Sequence, residues 1–131
     1  MLFRSGFTNL ITPSTAKSMV QLKIMRITEC KMIEEIIAGD GGKDNIIFKQ
    51  LQYLRLQSLP QLRSFCSSYY HFEIPSLVEF VATECPMLSV FSEGEVSTPL
   101  LQRVCLTGEV GPLENEDLNT TIKGSYSKKV R

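Results

Sequence analysis

The chain has 131 residues, a length for one domain, and ordinary globular proportions, with 43% hydrophobic and 21% charged residues. Its 14 basic and 14 acidic residues cancel, which argues against a nucleic-acid or membrane surface as the main partner. The opening MLFRSGFTNLITPST lacks the apolar stretch of a signal peptide. No apolar run approaches the roughly 18 residues of a membrane span. The expectation is a cytoplasmic protein.

One template organises the sequence. In residues 48–65, FKQLQYLRLQSLPQLRSF, apolar residues fall at Leu51, Leu54, Leu56, Leu59, Leu62 and Phe65. A surface helix keeps intervals of three and four, and a half-buried strand keeps two. LxxLxLxxL followed by LxxF does neither for long. It describes a short strand turning into a non-helical arc, the pattern of a leucine-rich repeat. With Leu51 as position zero, apolar slots lie at +3, +5, +8, +11 and +14.

In chain order, residues 1–21 read as the end of a repeat. Phe7 and Leu10 fit slots +11 and +14, which puts the anchor of that repeat before Met1. Pro13 and Ser14 open a short helix toward Met19. A solenoid needs polar-faced caps at its ends, and this N-terminus supplies none, so self-association through that edge is an expectation.

Residues 22–111 hold the repeats. The first reads Leu22, Met25, Ile27, Cys30, Ile33 and Ile36, with a strand near 23–28. Its arc, KMIEEIIA, fits a helical turn or an irregular arc. Residues 39–45, GDGGKDN, read as a flexible loop that supports no packing. They match neither a phosphate-binding loop nor the ligand spacing of a calcium loop. The second repeat starts at Leu51, with a strand near 52–57. The third reads Leu77, Phe80, Ala82, Cys85, Leu88 and Phe91, with a strand near 78–83. The last reads Leu101, Val104 and Leu106, with a strand near 102–106, and then breaks at Glu109. The anchors are 29, 26 and 24 residues apart, within the roughly 20–29 residues of such repeats. The fold expected is an α/β leucine-rich repeat solenoid of about three and a half to four repeats. Short parallel strands would form its concave face, with an irregular or short-helix convex side. Residues 112–131 read as a polar C-terminal tail, disordered in part. Asn119-Thr120-Thr121 is a glycosylation triplet that stays unmodified without a secretory route.

Cys30 and Cys85 share slot +8, where a small polar group caps carbonyls in the turn after the strand. They are two repeats apart, roughly 10 Å in a sheet, beyond the about 7 Å that a disulfide spans. Cys66 and His71 invite a thiol-enzyme reading, but nothing in the sequence holds the imidazole at the sulfur. A convex loop of local polar side chains is the stronger reading. No metal-ligand spacing exists and His71 is the only histidine. Neither an enzyme nor a cofactor is expected.

If the template residues point inward, the residues between them line the concave face. Their columns read Ile24, Tyr53, Glu79, Arg103; then Arg26, Arg55, Val81, Cys105; then Thr28, Gln57, Thr83, Thr107; then Glu29, Ser58, Glu84. Tyr and Arg are the types that anchor protein interfaces. Arg26, Tyr53, Arg55, Gln57, Glu79 and Arg103 are therefore the candidate protein-binding residues. Charge is uneven along the chain. Residues 1–65 hold nine Lys/Arg and five Asp/Glu, and residues 66–131 hold five and nine.

Several segments together carry a more specific likeness. They are NLITPSTAKSMVQLKIMRITECKMIEEIIAG (9–39), IFKQLQYLRLQSLPQLRSFCSS (47–68), IPSLVEFVATECPMLSVFSEG (74–94), STPLLQRVCL (97–106) and DLNTTI (117–122). With them the chain resembles the C-terminal leucine-rich repeats of plant disease resistance proteins of the coiled-coil, nucleotide-binding, leucine-rich repeat class. The resemblance implies an intracellular immune receptor. Its repeats would help recognise a pathogen effector or a guarded host protein, and help hold a nucleotide switch inactive. Nothing in the chain matches the nucleotide-binding module, so ATP or ADP binding is not carried over. The chain is expected either to be a piece of a longer receptor or to act alone, as an interaction or decoy protein without signalling activity.

Overall fold

The computed structural model describes residues 2–3, 10–106, 109–112 and 118–129. The concave sheet has six strands in the order β1 (Leu2–Phe3), β2 (Ile24–Thr28), β5 (Tyr53–Gln57), β8 (Glu79–Thr83), β10 (Arg103–Leu106) and β11 (Glu109–Pro112). The first five run parallel, and β11 turns back antiparallel along β10. The repeat strands pair slot for slot: Leu54 faces Met25 and Phe80, and Leu56 faces Ile27 and Ala82. Each begins one residue later than the periodicity places it.

The template slots form the core. Met25, Leu54 and Phe80 are fully buried, as are Ile33 and Leu62, and Val104 is nearly so. The structure is a parallel-strand β-solenoid, as a leucine-rich repeat requires. Cys30 and Cys85 fill slot +8 as the template implies. The Cys30 thiol donates to the Thr28 carbonyl and the Cys85 thiol to that of Thr83, each at 3.3 Å. All four cysteines carry free thiols.

The convex side holds more strand than expected. The KMIEEIIA arc ends in β3 (Glu35–Ile37), which pairs with β6 (Ser64–Cys66). A third sheet joins β4 (Asn45–Ile47), β7 (His71–Glu73) and β9 (Val96–Ser97). Its inward residues, Ile46 and Phe72, are fully buried. Behind them Phe65 and Phe91 stack at 4.6 Å, and Phe72 meets both edge-on. Such pairs contribute about 0.5–1.5 kcal/mol beyond their buried area.

The expected short helix is α1 (Pro13–Ser18), with proline in its first turn and the Thr12 hydroxyl accepting from the Thr15 amide. Ile11 bridges to Ile37 in parallel, so the residue after Leu10 occupies the same column as Ile37, Cys66 and Ser92. Phe7 lies outside the described residues.

The 39–45 loop departs from expectation, because hydrogen bonds rather than apolar packing fix it. The buried Tyr70 hydroxyl donates to Asp40 Oδ1 at 2.5 Å, and the Gly41 amide donates to Ser68 Oγ at 2.9 Å. Glu35 accepts from the amides of Gly39 and Ser67, and Lys17 pairs with Asp44 at 3.2 Å.

Where the sequence reads as a polar tail, the structure has a helix, α2 (Leu118–Lys129). Its Leu118 is fully buried and its Ile122 is 1% exposed, both within the core. Four residues apart, the two share one face of the helix. Residues 113–117 and 130–131 lie outside the described ones. No helix among the described residues is long and apolar enough to cross a membrane.

Candidate functional site

The concave face is built by strand alternation. In β5 the burial runs exposed, buried, exposed, buried, exposed, so Tyr53, Arg55 and Gln57 point away from the core while Leu54 and Leu56 point into it. In β2 the same alternation turns Ile24 and Arg26 outward. In-register pairing then sets Ile24 beside Tyr53, Tyr53 beside Glu79 and Glu79 beside Arg103. Arg26 lies beside Arg55, and Gln57 lies between Thr28 and Thr83. Thr107 lies outside the described residues.

Three of the candidate residues form one ion-paired unit. Arg55 Nη2 lies 3.2 Å from Glu79 Oε1, and Arg103 Nη1 lies 3.6 Å from Glu79 Oε2. The Glu79 side chain is only 15% exposed, against 49% for Arg55 and 67% for Arg103. The carboxylate is therefore enclosed while both guanidinium groups keep donors in solvent. Isolated surface pairs contribute roughly 0–1 kcal/mol, but a shared carboxylate orders two long side chains at once. Tyr53, Arg26 and Gln57 are exposed, and Arg26 has no carboxylate at ion-pair distance among the described residues.

The structure adds side-chain exposure and backbone conformation to two of these columns. Ile24 is 44% exposed beside Tyr53 at 37%, giving an apolar pair on adjacent strands. The rim column Glu29, Ser58 and Glu84 sits in the left-handed region, with φ of 55°, 57° and 55°. Each ends a strand and turns the chain into its arc. Such a conformation costs a side-chain-bearing residue about 1–3 kcal/mol. It is held by amides that continue the ladder: Glu29 donates to the Gln57 carbonyl and Ser58 to that of Thr83. The Ser58 hydroxyl also donates to Glu84 Oε2 at 2.7 Å. Glycine would have signalled this turn, and glutamate and serine do not.

Cys66 and His71 fall on separate convex sheets, in β6 and β7. Burial pushes the Cys66 thiol up to about 11, and the Glu35 and Asp40 carboxylates push it the same way. That is the reverse of nucleophile activation. Among the described residues no group of three or more His, Cys, Asp or Glu is placed to hold a metal ion.

This architecture has a counterpart among known families. The family described as plant disease resistance protein RPS2-like, leucine-rich repeats, matches residues 4–102. No curated protein and no solved structure gives a significant match. The matched span contains the repeat strands Ile24–Thr28, Tyr53–Gln57 and Glu79–Thr83, and with them the Arg55–Glu79 pair. The chain belongs to the family of plant disease resistance protein RPS2-like leucine-rich repeats.

Proposed function

We propose that this chain is a protein-recognition surface of a plant intracellular immune receptor. It contributes to recognition of a pathogen effector or a guarded host protein in the cytoplasm. Membership of a disease-resistance repeat family supports a protein-interaction module of plant defence. The observation that carries the finer reading is the ordered concave face. Tyr53, Arg55 and Arg103 stand exposed on a rigid parallel sheet, two of them fixed by Glu79. Exposed Tyr and Arg held in place lose little rotamer freedom on binding.

Photo-crosslinking in plant tissue tests this. A benzoylphenylalanine at Tyr53 is compared with one at Tyr69, an exposed convex tyrosine. Discrete protein adducts from position 53 and none from position 69 are expected. Equal or exclusive labelling from position 69 counts against the concave face.

A further inference from the structure

Charge on the concave face is sorted by position. The formal net charge is zero. The outward charged residues within β2, β5, β8 and β10 are Arg26, Arg55 and Arg103 against Glu79, while the exposed Glu29 and Glu84 stand at the rim of the face. Glu79 lies enclosed between Arg55 and Arg103, so the strands present guanidinium and the rim presents carboxylate.

The arrangement also has a spacing. Arg26 and Arg55 are partners in register, two like charges on neighbouring strands. Like charges directly opposite are destabilising. Arg55 leans to Glu79, and Arg26 has no such carboxylate among the described residues. An incoming carboxylate between Arg26 and Arg55 would relieve the repulsion and accept charge-assisted hydrogen bonds from both. Two residues earlier on the same two strands stand Ile24 and Tyr53, 44% and 37% exposed. Two residues along a strand is about 6.6 Å. The face therefore offers an apolar contact and a cationic contact at the separation of side chains i and i+2 of an extended chain.

We infer that the occupant of this face is an acidic protein segment bound in extended form. It lays an apolar side chain on Ile24 and Tyr53, and a carboxylate two residues away between Arg26 and Arg55. This rests on the concave-face reading above and adds the partner's chemistry to it. Complementary charge of this kind sets specificity and association rate more than total affinity.

The test needs no cognate partner. The full chain is titrated with a fluorescent peptide of repeating Leu-Ser-Glu-Ser, read by polarisation. Two controls replace every glutamate by lysine, or every leucine by serine. The inference predicts that the first peptide binds at least about tenfold tighter than either control, and more weakly as salt rises. Arg26→Glu, at an exposed position, removes that preference, while Arg26→Lys keeps most of it. Equal affinity for the glutamate and lysine peptides, or no binding of either, overturns the inference. Should residue-53 crosslinks form all the same, the acidic partner is wrong and the concave face stands. Should they also be absent, both fall.

Discussion

Asn119 does for Phe91 what Phe91 does for Phe65. The Phe65 and Cys66 amides donate to the Phe91 carbonyl at 2.8 and 3.2 Å, one repeat onward. The Leu10 and Ile11 amides make the same pair of bonds to the Ile36 carbonyl. At the last arc, the Phe91 and Ser92 amides donate instead to Asn119 Oδ1, at 2.8 and 2.9 Å. A side-chain carbonyl from α2 thus stands in for the backbone of a further repeat. Asn119 Nδ2 donates in turn to the Gly94 carbonyl at 3.0 Å. Leu118 and Ile122 cover the apolar end beside it.

Asn119→Leu should therefore destabilise the chain by about 1–3 kcal/mol, because it leaves two inward amides without an acceptor. Asn119→Asp keeps the acceptor and should cost less. Urea unfolding of the three proteins checks the order. The same geometry engages the amide nitrogen of the glycosylation triplet, so a glycan on Asn119 would require α2 to leave its place.

Leu56 lies 1% exposed at slot +5, facing Ile27 and Ala82 on either side. Leu56→Ala should cost roughly 2–5 kcal/mol in chemical denaturation, as buried leucine truncations do. A loss below about 0.5 kcal/mol would contradict the inward register of the template.

Gly94 packs against the backbone carbonyls of Tyr69 and Tyr70, which a Cβ at position 94 would strike. Gly94→Ala forces backbone rather than a flexible side chain to move. It should destabilise by about 1–3 kcal/mol in the same assay. Gly41, with open space around it but a φ of 81°, tests backbone strain alone. There Gly41→Ala should cost about 1 kcal/mol or more.

The Tyr70–Asp40 bond predicts a pH dependence at both ends. Its hydrogen bond to Asp40, with burial, pushes Tyr70 up from 10.0 to about 12. That contribution is whole below the unfolded value and is lost as pH rises through the folded one. The same bond, followed by the Gly42 amide, lowers Asp40 below its ordinary 3.8. Its contribution is whole above that value and is lost as pH falls through the lowered one. In an ultraviolet titration one of the four tyrosines should ionise last, near 12. Tyr70→Phe should remove that phase and flatten the alkaline limb of the stability curve.

The inward slots were legible because a repeat states the same constraint several times. Leu51, Leu77 and Leu101 each set a register that the others check. What the sequence did not disclose depends on one-off contacts between distant residues. The Glu79 carboxylate serves two arginines from different columns, 24 residues away on either side. Strand alternation puts all three on the face but carries no sign that their side chains meet. Asp40 and Tyr70 are 30 residues apart, and a hydrogen bond across that span leaves no periodic pattern in the sequence. The convex strands are mostly three residues long, too short to show a period. Helix α2 is polar along most of its length, and only Leu118 and Ile122 announce its inner face.

The most direct measurement is the affinity of the protein captured at position 53 for wild-type chain and for Arg55→Glu, with thermal melts of both. Tyr69→Glu serves as the convex control. Arg55 is half exposed, so its reversal should leave the fold intact while placing a carboxylate beside Glu79. At least about tenfold weaker binding is expected for Arg55→Glu, with no change for Tyr69→Glu and a single cooperative melt for each protein. Unchanged affinity for Arg55→Glu would contradict recognition through the concave face.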